Sequence, residues 1–260
     1  MTDPYDDDDD DFEAINDMME AAQRGDLDAV RDALESGIPV DAPDEEGHAA
    51  LSHAAMNNQA DMARFLIDRG ADVNAMDSVY QTALFFATQE GAHETAVVLL
   101  DAGAEFDAPD SNGRTPLMNA CSCKDVRTGK LLIARGADVN ARDHDQWVPL
   151  MMAAVEWSGD GYSSELMGVL LAAGAVLDAQ SAVGQTVLHI AAMTGSTDAV
   201  RDLLQAGADA TLVDIGGRTA EESTSGETRS LLAAHRERPL LREAAGLTDD
   251  QEPVQRHRTM

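Results

Sequence analysis

One six-residue phrase returns through this chain at a fixed interval. It reads "GIPVDA" from Gly37, "GADVNA" from Gly70, "GAEFDA" from Gly103, "GADVNA" from Gly136, "GAVLDA" from Gly174 and "GADATL" from Gly207. The steps between successive glycines are 33, 33, 33, 38 and 33 residues. A period of this length argues against one collapsed core. Each copy is a small helical element that cannot bury its own apolar face, so copies must stack on one another.

Two further phrases keep register with the first. One is "AALSHAA" from Ala49, "TALFFAT" from Thr82, "TPLMNAC" from Thr115, "VPLMMAA" from Val148 and "TVLHIAA" from Thr186. The other precedes each glycine, as in "MARFLIDRG" and "TGKLLIARG". Proline in the first turn loses no hydrogen bond and presets φ, and a threonine hydroxyl caps the helix start. Leucine followed by paired alanines gives a narrow face against which a second helix packs closely. The Leu-Leu run forms that second helix, and Gly-Ala ends it, because glycine enters positive φ freely. Each unit is therefore a helix pair followed by a short hairpin-like loop.

These three phrases resemble the ankyrin repeat, whose signature is T-P-L-H-x-A at this period. The resemblance covers residues 44–213 in five full units, 44–76, 77–109, 110–142, 143–180 and 181–213. It implies an all-α ankyrin-repeat solenoid of stacked helix-turn-helix units, with inner helices and loop tips on the concave side. Residues 12–43 and 214–238 read as capping repeats, because their first-helix phrases are more polar. Residues 1–11 read as a disordered acidic arm and 239–260 as a tail. Only unit five keeps the signature histidine, as His189, while Tyr80 and Gln146 stand where other tips carry Gly47, Gly113 and Gly184.

Charge limits the partner. Asp and Glu number 48 against 18 Lys and Arg, a formal net charge of −30. Such a field repels nucleic-acid phosphates and anionic membranes and attracts basic proteins. The N-terminal stretch lacks the features of a signal peptide, and no apolar run approaches a membrane span, so a cytoplasmic location is expected. Cys121 and Cys123 sit too close on one helix to bridge and read as reduced thiols. No nucleotide-binding, nucleophile-elbow or metalloprotease motif is present, so neither catalysis nor a cofactor is expected. His144 between two aspartates in "DHD" reads as a solvated tip, and no metal site is expected.

Candidate contact residues follow from the resemblance. The tips place Glu45, Glu46, Tyr80, Arg114, His144, Asp145 and Trp147 outward, and the ends of the inner helices place Gln89, Glu90, Glu156 and Trp157 along the groove. Aromatics make up only 4% of the chain, yet Trp147, Trp157 and Tyr162 share one stretch where the period lengthens to 38 residues. Exposed Trp and Tyr are frequent interface anchors, so these three are expected to hold a partner, with Trp147→Ala and Trp157→Ala leaving the melting temperature nearly intact. The alternatives are that Trp157 folds back over the lengthened turn and that Trp147 packs on a neighbouring loop. The run Asp6, Asp7, Asp8, Asp9, Asp10 and Asp11 reads either as a solubilising arm or as an electrostatic hook.

The resulting expectation is a non-catalytic, monomeric binding protein that grips a basic protein, acting as an inhibitor or immunity-type protein. Two alternatives stand beside it. One is a phosphate-mimicking antagonist of a nucleic-acid-binding protein, and the other is an adaptor bridging two proteins.

Overall fold

The structure, a computed structural model, describes residues 6–155 and 163–244. Helices α1 (Asp6–Arg24) and α2 (Leu27–Glu35) form the first pair. Five pairs follow: α3 (Ala50–Met56) with α4 (Ala60–Asp68), α5 (Ala83–Gln89) with α6 (His93–Asp101), α7 (Pro116–Ser122) with α8 (Val126–Arg135), α9 (Pro149–Ala154) with α10 (Ser164–Ala172), and α11 (Val187–Met193) with α12 (Thr197–Gln205). Helix α13 (Gly226–Ala244) closes the array. Among the described residues the remaining regular pairing is two isolated antiparallel bridges, Met76 with Thr82 and Val213 with Thr219.

The odd-numbered helices from α1 to α11 stack in one inner row, and α4, α6, α8 and α10 stack in an outer row. Inner helices meet neighbours on both sides, so nearly every side chain is buried, as in Ala83–Thr88 and Pro116–Cys121. Small residues are required there because the backbones approach closely. Outer helices bury one face, through Leu66, Leu99, Leu132, Leu170 and Leu203. Thr82, Thr115 and Thr186 cap the inner helices by accepting the amides of Phe85, Met118 and His189. The six phrase glycines all lie in the left-handed region, between φ +91° and +104°, where an L side chain is strained.

Two hydrogen-bond ladders hold the loops in register. Asp44, Asp77, Asp110, Asp143 and Asp214 each use Oδ1 to accept the backbone amides two and four residues ahead, which folds the tip into a hairpin. Adjacent tips then join, with Ser111 N–H donating to Val79 O, His144 to Asn112 O, Ala182 to Asp145 O and Ile215 to Val183 O. Closer to the outer helices, Asp41, Asn74, Asp107, Asn140 and Asp178 accept the amides of Asp72, Glu105, Asp138, Val176 and Asp209. The Asx residue of each phrase thus bonds its unit to the next. The ladder crosses the long unit at Asn140 without interruption.

The ends depart from the sequence reading. Helix α1 begins at Asp6, so the aspartate run is its first turns rather than part of a disordered arm. The buried Met18 and Met19 anchor its later turns. At the other end, "AEES" (220–223) forms only turns, and α13 packs on α12 in the outer position. That helix runs through Ala244, six residues into the stretch expected to be tail.

Candidate functional site: the loop tips and the inner-helix ends

The tips present a mixed edge. Glu45 and Glu46 are exposed on the first, Val79 and Tyr80 on the second, Arg114 on the third, His144 and Asp145 on the fourth. Val183 and Ile215 extend the apolar part of this edge along the fifth and terminal tips. Ile215, the most exposed large apolar residue among the described ones, was not among the expected contacts, because the terminal unit was read as a cap.

The ends of the inner helices form a second line. Gln89 ends α5 and Glu90 follows it, both exposed, with Gln89 Nε2 donating to Glu90 Oε1 at 3.3 Å. Cys123, one unit on, donates its thiol to Gln89 O at 3.0 Å, so the two turns are contiguous. Met193 and Thr194 occupy the same place in unit five and are exposed.

Trp147 behaves differently from the expectation. It is half-buried and packs against the core, while its backbone amide donates to Asp143 Oδ1 at 2.8 Å. An indole in this slot covers apolar surface, so its removal carries a stability cost and Trp147 is not a purely outward anchor. Glu156, Trp157 and Tyr162 lie outside the described residues.

Tyr80 and Gln146 both adopt positive φ, +65° and +61°. The left-handed region disfavours side chains. Tyr80 is nonetheless 60% exposed, so little packing compensates. Tyr80→Gly is expected to stabilise the fold by about 0.5–1 kcal/mol, net of glycine's extra unfolded-state entropy. A thermal melt checks this, and a lower melting temperature in the variant contradicts it.

Charge is sorted across the molecule. The inner helices α3, α5, α7, α9 and α11 contain no lysine or arginine. The outer helices hold pairs of their own: Arg31 with Asp28, Arg64 with Asp61 and Arg201 with Asp198. Arg135 with Asp101, Lys130 with Glu165 and Arg127 with Glu94 link neighbouring outer helices. Lys124 is turned inward onto backbone carbonyls. Among the described residues, Glu45, Glu46, Glu90 and Asp145 have no cation within ion-pair distance. The tips and the inner-helix ends thus carry exposed acids with no cation beside them, as do Asp32, Glu35 and Asp68 on the outer helices.

Comparison with known proteins agrees with this geometry. Ankyrin-repeat family models match residues 18–110, 74–143 and 103–178 in three overlapping copies, and a single-repeat model matches 183–215. The chain belongs to the ankyrin-repeat family. Its structure is similar to the ankyrin repeat domain of Bcl-3, described as a unique member of the IkappaB protein family, with 26% identity and a TM-score of 0.70 over 84% of this chain and 97% of that one. It is also similar to the human ASB11 ankyrin repeat domain, with 22% identity and a TM-score of 0.74 over 84% and 96%. No curated protein sequence matches the chain. Ankyrin repeats are protein–protein interaction modules, and this array is one.

The array's thiols are not reactive centres. Burial pushes the Cys121 thiol up to about 12, and burial followed by the Glu90 charge raises that of Cys123. Thiolate is the nucleophile, so neither cysteine is activated. His189 lies at the core of the fifth unit, where Nδ1 faces Thr186 and Nε2 faces Arg218 O at 3.0 Å. A cluster of Asp44, His48 and His53 in unit one was not legible in the sequence. His53 stands one residue past the slot that His189 fills, and the family pattern assigns nothing to it. Among the described residues no helix is long and apolar enough to cross a membrane.

Proposed function

We propose that this ankyrin array is a non-catalytic module that binds a protein with a basic surface through its tips and inner-helix ends. The supporting observation is the exposed, unpaired acid on this face. Among the described residues, Glu45, Glu46, Glu90 and Asp145 have no cation within ion-pair distance, and the inner helices α3, α5, α7, α9 and α11 behind them carry no lysine or arginine. Such a face steers a basic partner and favours association at low salt. The exposed Val79, Tyr80 and Ile215 supply apolar contact area beside the charge. Covering a partner's basic surface is the action of an inhibitor or immunity-type protein, the role we assign to it.

The test compares two charge-matched triple variants. Glu45→Lys/Glu90→Lys/Asp145→Lys reverses the proposed face, and Asp28→Lys/Asp61→Lys/Asp198→Lys reverses the outer helices. The partner is captured with the unmodified chain from native lysate and its affinity is then measured against each variant across a salt series. The first triple is expected to weaken binding at least tenfold and flatten the salt dependence, and the second to leave both near the unmodified values. Equal losses in both triples would reduce the effect to overall charge. Loss only in the second would place the partner on the outer face.

A further inference from the structure

Unit one holds a side-chain cluster built on the oxygen of Asp44 that the tip ladder leaves free. Asp44 opens the first tip, His48 closes it, and His53 lies in α3. His53 Nε2 is 2.7 Å from Asp44 Oδ2, and His48 Nδ1 is 3.6 Å from the same oxygen. One ligand atom from each of the three lies within 4.8 Å of the others. The side chains of Asp44, His53 and His48 are 6%, 10% and 19% exposed, so the cluster is enclosed with its opening at His48.

The surroundings fix which atoms face inward. Asp44 Oδ1 is committed to the amides of Glu46 and His48, which leaves Oδ2 toward the two rings. Behind His48, Nε2 is 3.3 Å from Oδ2 of Asp77, a carboxylate only 2% exposed. Behind His53, Nδ1 is 2.9 Å from the Gln23 side-chain amide, which can present either its oxygen or its nitrogen to the ring. With Asp77 and Gln23 Oε1 accepting the rear N–H groups, the lone pairs of His48 Nδ1 and His53 Nε2 point at Asp44 Oδ2. Ligating imidazoles are ordinarily held from behind in this way.

We propose that Asp44, His48 and His53 bind one divalent transition-metal ion, with zinc the best chemical fit and water in the fourth position. Two imidazole nitrogens and one carboxylate oxygen form a borderline donor set that suits zinc rather than calcium or magnesium. Tetrahedral bonds of about 2.0–2.2 Å place ligand atoms about 3.3 Å apart. The 2.7 Å pair must widen by about 0.6 Å, the 3.6 Å pair close by about 0.3 Å, and the two ring nitrogens, within 4.8 Å of one another, draw together as the ion binds. The bound ion joins the first tip to α3, with Asp77 of the second tip and Gln23 of α1 holding its ligands. It therefore fastens the N-terminal cap to the array and stabilises the folded state by mass action.

The full chain, stripped with a chelator, is titrated with zinc chloride by calorimetry and with cobalt(II) by visible absorption. One ion per chain, ligand-field bands of a tetrahedral cobalt site and a zinc-dependent rise in melting temperature are expected. His48→Gln, at the open side, should fold as judged by circular dichroism and bind at least tenfold more weakly. Asp77→Asn, which is not a ligand, should keep one site and lose about tenfold in affinity. No binding by the unmodified chain overturns the proposal. Unchanged affinity in His48→Gln does so too, since the ion is then held by surface carboxylates or other histidines.

Discussion

Replacing Lys124 by methionine is expected to lower the melting temperature by about 5–10 °C, because about 2–3 kcal/mol of charged hydrogen bonding is lost. Lys124 occupies the turn between α7 and α8 at φ +58°, a position that is Asn58, Gly91 or Gly195 in other units. Its ammonium crosses to unit four and donates to Met152 O at 3.3 Å, Ala153 O at 2.9 Å and Val155 O at 2.6 Å. Helix α9 is a residue shorter than its counterparts, and its last cap, Val155, is extended. The last carbonyls of that helix and its cap accept from the ammonium. A cation there also complements the negative end of the helix dipole. Lys124→Gly separates the two roles, since glycine removes the strain of positive φ and the cap together. If the cap dominates, both variants melt lower, methionine more so. A methionine variant within about 1 °C of the parent would show that the carbonyls need no lysine.

His189→Ala is expected to cost about 2–4 kcal/mol, with the damage concentrated at the C-terminal end. The ring is 1% exposed, so truncation leaves a cavity. It also removes the acceptor of the Thr186 amide and the second partner of the Arg218 carbonyl, which then keeps only the Asp214 amide. Arg218 belongs to the terminal tip, so the imidazole is a direct tie between unit five and its cap. Stability in a stacked array is a sum over units and their neighbour interfaces. Weakening this interface should therefore release α13 from amide-exchange protection before α3 or α5. Hydrogen exchange followed by mass spectrometry reads this directly. A uniform loss of protection across the array, or none, would contradict the role assigned to the ring.

The histidine at 189 was legible in advance because it sits in the signature slot of its phrase. The repeat itself was legible for the same reason. Six glycines at a common spacing impose one backbone solution, and the Leu and Ala positions impose the faces that must be buried. The tip aspartates were legible only as loop openers. Their use of one oxygen for two amides is a local consequence of the hairpin. Trp147 was open between anchor and packing residue, because a tip position gives the side chain's address but not its direction; here the residue is partly buried against the core.

The sequence alone determined the architecture, the order of the helices and the sign of the surface, because period, apolar spacing and charge are properties of one unit read repeatedly. Only the tertiary structure decided the contacts between units. Lys124 reaches carbonyls 28–31 residues away, and His48 meets Asp77 across a unit boundary. Such contacts depend on how far a side chain extends once two copies are stacked. No spacing within a single unit encodes that distance.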